Sequence, residues 1–235
     1  MPYFSPFFID YWYLILVVPA LLISVWAQFK VKSTYAKYSD KLVSNGMTGA
    51  DVTRYIQQVN GIHTDIQAVA GELSDHFDPR TNVVRLSEGV YGRSTVAAVG
   101  IAAHETGHAL QHAEGYGPVK LRTAMVPVTN FASGLSPILI LLGIVMSMDA
   151  LAYVGIALFS MATLFQLVTL PVEFNASARA VAALESSGQF TEDELKGVKK
   201  VLTAAALTYV AALLVSLMTL LRLILIVGGN GRRRR

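Results

Sequence analysis

The segment His104-Glu105-Thr106-Gly107-His108 contains residue types that can bind a metal ion and use it to activate water. Residues four apart on a helix lie on one face, so the two imidazoles can bind one Zn²⁺. A glutamate beside the first histidine can then act as general base toward a zinc-activated water. We therefore predict His104 and His108 as ligands of one catalytic Zn²⁺ and Glu105 as the catalytic residue. The alternative is a chance match on a polar helix face, which the surrounding Ala, Val and Ile residues disfavour because polar groups there need partners.

A catalytic zinc ion takes a third protein ligand and keeps one open position. His112 follows His104 by eight residues, about 12 Å along a straight helix, which is too far for two ligand bonds of about 2 Å each. We place His112 on the surface or in support of the ligands, and expect a carboxylate as the third ligand. Glu173 is the strongest candidate, because two apolar spans return it to the side of the membrane on which His104 lies. The rival carboxylates are Glu72, Asp75, Asp78 and Glu114.

Polar residues follow Glu173 within two helical turns. Asn175, Ser177 and Arg179 are candidates to orient the metal ligands or to stabilise an oxyanion. The alternative for each of them is an ordinary place on the helix surface.

The composition is typical of an integral membrane protein. Of the 235 residues, 53% are hydrophobic and 15% are charged, against roughly 25% charged in soluble domains, and the mean hydropathy is +0.48. The net charge of +3 depends on the four terminal arginines, so charge indicates no nucleic-acid partner. The absence of cysteine excludes disulfides and thiolate ligands.

Apolar and polar stretches alternate along the chain and divide it into five parts. Tyr11 to Phe29 is an uncharged run long enough to span a bilayer, and a turn near Asp149 joins two further spans. The last apolar run is interrupted by Arg222. The five parts are an N-terminal transmembrane anchor at 1–29, a catalytic portion at 30–122, a transmembrane hairpin at 123–172, a helix with the third zinc ligand at 173–200, and an apolar helix with a basic tail at 201–235.

Lysines directly after the first span predict the orientation in the membrane. These residues are Lys30, Lys32, Lys37 and Lys41. Because positive residues concentrate on the cytoplasmic side, the catalytic portion is expected to face the cytoplasm. A fourth full crossing would put the arginines at 232–235 outside, against the same rule, so the number of crossings stays open at this point.

Local signals predict the elements of the catalytic portion. Thr48 and Asp51 form the pattern of a capping box, and Asn60-Gly61 ends that helix. The turn "DPRTN" leads into a short strand, "VVRL", at 83–86. Ser94 is the predicted N-cap of the helix that carries the two histidines.

Three longer segments resemble one protein family. They are "DHFDPRTNVVRLSEGVYGRSTVAAVGIAAHETGHALQH", "YGPVKLRTAMVP" and "PVEFNASARA", which look like the YugP-like neutral zinc metallopeptidases, bacterial membrane proteins of the gluzincin type. The resemblance covers most of the chain. It implies His104, His108 and Glu173 as zinc ligands and Glu105 as catalytic glutamate.

The resemblance also implies the fold class and the location. The fold expected is a mainly α-helical integral membrane protein, with several transmembrane helices and a small α+β zincin-like catalytic portion on the cytoplasmic side of the bacterial inner membrane. This chain departs from the family at Asn175 and Ala178, where the family usually has Asp and Arg. Val83, Val84 and Leu86 would form an edge strand that pairs with an extended substrate, or else a plain structural strand.

The function expected is hydrolysis of peptide bonds in protein or peptide substrates by a membrane-bound zinc-dependent metallopeptidase. The partners expected are the lipid bilayer and a peptide or membrane-protein substrate, and the oligomeric state is unknown. One alternative is a non-catalytic scaffold with a zinc site, which the presence of Glu105 disfavours. Another is an intramembrane site-2-type protease, which the short apolar part of the histidine helix disfavours.

Overall fold

The computed structural model of the chain describes residues 10–232. These residues are mostly helical with one small mixed sheet, as the sequence predicts. In chain order, a π-helical turn Tyr13–Val17 continues into α1 Val18–Ser39, followed by α2 Gly49–Asn60, β1 Asp65–Val69, β2 His76–Asp78, β3 Val83–Ser87, α3 Glu88–Tyr91, α4 Val96–Ala113, α5 Gly117–Val145, α6 Asp149–Ser187 and α7 Glu192–Arg232.

Within the described residues, four helices are long and apolar enough to cross a membrane. They cover Tyr13–Ser39, Gly117–Val145, Asp149–Ser187 and Glu192–Gly229. The predicted turn between the two middle spans is confirmed, because α5 ends at Val145 and α6 begins at Asp149. The arginines at 233–235 lie outside the described residues.

The chain forms two compact units, and α1, α5, α6 and α7 contribute residues to both. Among the described residues, the first unit contains 10–27, 121–170 and 208–232, and the second contains 28–120 and 171–207. The functional roles assigned to the five segments of the sequence stay predictions.

Small residues bring α5 and α6 close together in the first unit. A Cβ added to Gly143 would lie 2.4 Å from the backbone nitrogen of Ala152, and one added to Gly155 would lie 2.6 Å from a side-chain carbon of Ile140. Ser136 Oγ donates a hydrogen bond to the carbonyl oxygen of Gly155 at 2.9 Å. Such packing is typical of transmembrane helices, which associate through small residues and interhelical hydrogen bonds.

The sheet of the second unit has the order β1-β3-β2. β3 pairs in parallel with β1 along its whole length and antiparallel with β2 over residues 83–85. Of the two interpretations of Val83, Val84 and Leu86, the edge strand is therefore wrong, and the plain structural strand is what the structure has. These three side chains are buried, and the physical reason is that β1 and β2, which the sequence analysis did not identify, occupy both sides of β3.

Two local predictions for the second unit are confirmed and one is corrected. Thr48 and Asp51 form the capping box of α2, and "VVRL" lies in β3. The N-cap of α4 is Thr95, whose side chain accepts a hydrogen bond from the backbone of Ala98, and not Ser94, whose hydroxyl instead donates to the Gly46 carbonyl.

The segment at 173–200 is not one continuous helix. Gly188 has a φ of +64° and follows the end of α6, a left-handed conformation that glycine adopts without a steric penalty. Thr191 and Glu194 then form reciprocal hydrogen bonds at the start of α7. Glu173 therefore belongs to α6, and Lys199 and Lys200 belong to α7.

Candidate metal centre

α4 and α6 bring three metal-binding side chains together. His104 and His108 lie on one face of α4, with ring centroids 4.7 Å apart and ring planes at 82°. Their Nε2 atoms lie 3.4 Å and 3.5 Å from the same carboxylate oxygen, Oε2 of Glu173. The structure therefore brings together the three residues predicted as zinc ligands.

Gly107 explains how α4 and α6 approach closely enough for Glu173 to reach the two histidines. It lies between the histidines in sequence, and a Cβ added to it would lie 2.6 Å from the carbonyl oxygen of Ala176 on α6. No side chain larger than hydrogen fits there without a shift of the backbone. Glycine at this position therefore positions Glu173, three residues before Ala176, against the histidine face.

The separations between each histidine nitrogen and the Glu173 oxygen fit a zinc ion. Zinc bonds of about 2.1 Å at tetrahedral angles place neighbouring ligand atoms about 3.4 Å apart, and the two observed nitrogen–oxygen separations are 3.4 Å and 3.5 Å. Two imidazoles and one carboxylate are also a donor set that catalytic zinc sites use. The side chains of His104 and His108 are each 15% exposed and that of Glu173 is 4% exposed, so the histidines are the more accessible of the three ligands.

The other nitrogen of each imidazole has a partner that orients the ring. Nδ1 of His104 lies 3.1 Å from Ser177 Oγ, and Nδ1 of His108 lies 3.0 Å from Gln111 Oε1. Gln111 uses its amide nitrogen to donate to the Val172 carbonyl oxygen and to Asn175 Oδ1, at 2.8 Å and 2.9 Å. Its Oε1 must therefore accept from Nδ1–H of His108, and this leaves the Nε2 lone pair of a neutral His108 for a metal ion.

The electrostatics of His108 reflect the nearby carboxylates. Burial disfavours the charged imidazolium, but the hydrogen bond with Glu173 and the charges of Glu105 and Glu173 outweigh burial and raise the pKa of His108. The same negative environment favours any cation at this position, a proton or a metal ion.

A hydrogen-bonded chain extends from the histidines to the surface. Asn175 Oδ1 also accepts from Nε of Arg179 at 2.8 Å, and the guanidinium of Arg179 forms a two-point ion pair with Glu114 at 2.7 Å and 2.8 Å. The residues Asn175, Ser177 and Arg179 are thus all connected to the metal-binding side chains, directly or through Gln111. The sequence analysis did not identify Gln111 as a member of this chain of hydrogen bonds.

Glu105 lies beside the ligands and contacts the sheet. Its Oε2 accepts a hydrogen bond from the backbone N–H of Phe77 in β2 at 3.0 Å. In the order β1-β3-β2, β2 is an edge strand, so the sheet edge next to Glu105 belongs to β2.

The remaining candidate residues have other partners. His112 is exposed, with its ring 5.7 Å from that of Phe77. Asp75 accepts hydrogen bonds from the backbone and side chain of Ser87, and burial raises its pKa, with a further contribution from the charge of Glu105. Asp78 pairs with Arg85, and its hydrogen bonds hold the pKa of that carboxyl well below its usual range. None of these residues, nor the exposed Glu72, belongs to the group of three.

Four candidate membrane-spanning helices and a possible metal site of two histidines and one glutamate are features of a membrane-bound metalloprotein. The chain belongs to the family described as "Putative neutral zinc metallopeptidase", whose sequence profile matches residues 13–228. The resemblance seen in the sequence motifs is therefore confirmed.

One relative in this family is closely similar to the chain. The "Putative membrane protease YugP" of Bacillus subtilis (strain 168) is 52% identical over 215 residues, which cover 91% of this chain and 96% of the relative. No solved structure matches the chain.

Proposed function

We propose that the protein is a membrane-bound zinc metallopeptidase that hydrolyses peptide bonds in protein or peptide substrates. The observation that carries the proposal is the convergence of His104, His108 and Glu173 at zinc-ligand spacing, next to Glu105. The family and the name of the relative support the same reaction class. One Zn²⁺ held by the three side chains is the proposed cofactor, in a site of the gluzincin type.

Zinc held by these residues supplies Lewis acidity, which polarises the scissile carbonyl and allows water to act as a nucleophile at neutral pH. The carboxylate of Glu105 accepts a proton from the attacking water and transfers it to the nitrogen of the leaving amine. Water thus adds its oxygen to the carbonyl carbon, the carbon–nitrogen bond breaks, and the proton ends on the new amine.

The surrounding residues orient these groups. Ser177 and Gln111 hold the two imidazoles through Nδ1, and Asn175 holds Gln111. Because Arg179 is engaged by Glu114 and Asn175, we propose that it supports this chain of hydrogen bonds and does not contact the substrate oxyanion.

We propose that the site faces the cytoplasm, in a bacterial inner membrane, and acts on peptides or membrane proteins. The lysines that follow the first span support this orientation through the positive-inside rule.

The two alternative functions have less support. α4 is not among the four helices suited to crossing a membrane, which disfavours an intramembrane protease. Within the described residues, no fourth ligand joins the group of three, whereas structural zinc sites usually have four protein ligands.

Replacement of the general base tests the proposal. In the full-length protein, Glu105→Gln should retain about one zinc per chain and lose cleavage of a fluorescently labelled unfolded protein such as casein by about 10²- to 10⁴-fold. Glu72→Gln is the matched control, because Glu72 is exposed and lies outside the metal group. Cleavage by the Glu105→Gln variant at the parent rate, with zinc retained, would contradict the proposed role of Glu105.

A further inference from the structure

A cavity lies in the second unit, between the end of α1 and the start of α7. Its volume is about 550 Å³. Four lysines line it, two from each helix: Lys30, Lys37, Lys199 and Lys200. None of the metal-centre residues lines this cavity.

The cavity is lined on its inner side by buried residues, and hydroxyl groups lie beside the lysines. Thr34, Tyr38 and Ala204 form the buried floor, each less than 10% exposed. Ser33 and Thr203 lie on the walls with the lysines. Ammonium and hydroxyl groups around one cavity are donors suited to the oxygens of a phosphate group.

The positive charge in the cavity is only partly balanced. Lys199 pairs with Glu185 at 2.6 Å. Across the part of the chain that the structure describes, no acidic residue lines the cavity, and no ion pair involves Lys30, Lys37 or Lys200. A bound anion would therefore meet three lysines that form no ion pair, of which Lys200 also interacts electrostatically with the carboxylate of Asp193.

The sequence places this cavity where two apolar segments end. Lys30 directly follows the uncharged run that begins at Tyr11, and Lys199 and Lys200 directly precede the apolar run that begins at Val201. Both helices are candidate membrane spans. Positions at the end of a span lie at the level of the lipid headgroups, and basic pockets between such helices bind anionic headgroups.

We propose that this cavity binds the phosphate headgroup of an anionic membrane phospholipid. The phosphate lies among the lysines and hydroxyls, and Leu207, one turn after Ala204 on the wall, is in place to contact the start of the acyl chains. The lipid connects α1 with α7 at this level. This site is separate from the proposed peptidase reaction, and its test needs no activity measurement.

Lipid binding to charge-matched variants tests the proposal. The full-length protein in a neutral detergent is titrated with phosphatidylglycerol and examined by native mass spectrometry. Lys37→Gln with Lys200→Gln should weaken binding of the first lipid by at least about tenfold, since each lysine near a lipid surface contributes about 1 kcal/mol and 1.4 kcal/mol is tenfold. Lys32→Gln with Lys196→Gln removes the same charge outside the cavity and should bind like the parent.

Two further measurements separate the possible outcomes. Thr203→Glu keeps every lysine but adds a negative charge at an exposed position that lines the cavity. This variant should also weaken lipid binding. The test therefore does not depend on the folding of the lysine variant alone. Inorganic phosphate in excess should not displace the lipid. Equal binding by both double variants, equal binding of phosphatidylcholine, or displacement by phosphate would overturn the proposal, the last in favour of a site for free phosphate.

Discussion

The side chains of the metal centre are held by contacts with residues far away in the sequence. Gln111 illustrates this, because one buried amide contacts a metal-binding histidine, a backbone carbonyl of α6 and Asn175. Partners of this kind fix the tautomer and the ring orientation of a ligating histidine. Oδ1 of Asn175 accepts two hydrogen bonds, one from Gln111 and one from Arg179.

Removal of this amide should weaken metal binding. Gln111→Ala leaves Nδ1 of His108 without its acceptor, so we expect zinc affinity to fall about 10- to 100-fold. Competition with a chelator of known zinc affinity measures the change. His112→Ala is the control, because His112 is the next residue but is exposed and outside the metal group. An equal loss in both variants would indicate a general effect on α4 and not an orienting role for Gln111.

Residue types and spacing predict part of this site and not the rest. His104, Glu105 and His108 follow from helical spacing, and Glu173 follows from an even number of membrane crossings between it and His104. Gln111 could not be predicted, because its partners Val172 and Asn175 lie 61 and 64 residues away and a glutamine carries no local signal of its role.

At the scale of elements, the distance between α4 and α6 decides whether the three ligands can meet. Gly107 and Ala176 are in close contact, and Val172 and Ala176 on α6 are both buried. The second unit also has a close approach of α4 to α7, where a Cβ at Gly100 would lie 3.2 Å from Val198. α4 thus closely approaches both α6 and α7.

A methyl group at Gly107 should therefore damage the metal centre. Gly107→Ala forces α4 and α6 apart, and overpacking of this kind costs about 1–3 kcal/mol. We expect a lower Tm and a reduced zinc content. Gly117→Ala at the start of α5 is the control, because nothing lies within 4 Å of its added Cβ, and it should leave both quantities unchanged. A Gly107→Ala variant with full zinc content and parental Tm would show that the helices can separate without loss of the site.

The sheet shows where element prediction from sequence fails. β3 is a short apolar run between a turn and a glycine-containing segment, and its position is predicted correctly. β1 has mostly exposed side chains and β2 contains only three residues, so neither has the alternation that identifies a strand. Without them, the sequence leaves both an edge position and an inner position open for β3, because strand order depends on pairing between distant segments.

At the scale of the whole molecule, one ion pair in the first unit bears on the number of membrane crossings. Nε of Arg222 on α7 donates to Asp10 at 2.8 Å, and Asp10 directly precedes the first helix. The charge that interrupts the last apolar run therefore has its partner at the N-terminal end of the first span. This pairing favours four full crossings, which put Asp10 and Arg222 near the same side of the membrane, although the positive-inside rule applied to the terminal arginines favours the opposite.

Labelling of single cysteines tests this topology together with the arrangement of the site. The chain has no cysteine, so Glu72→Cys, Met148→Cys and Gln189→Cys each introduce one thiol at an exposed position. A membrane-impermeant maleimide should label position 148 in intact cells, and positions 72 and 189 only in inverted membrane vesicles. Labelling of all three variants in detergent is the control for accessibility. If positions 72 and 189 were labelled from opposite sides, an odd number of crossings would separate them, and Glu173 could not share a metal ion with His104 and His108.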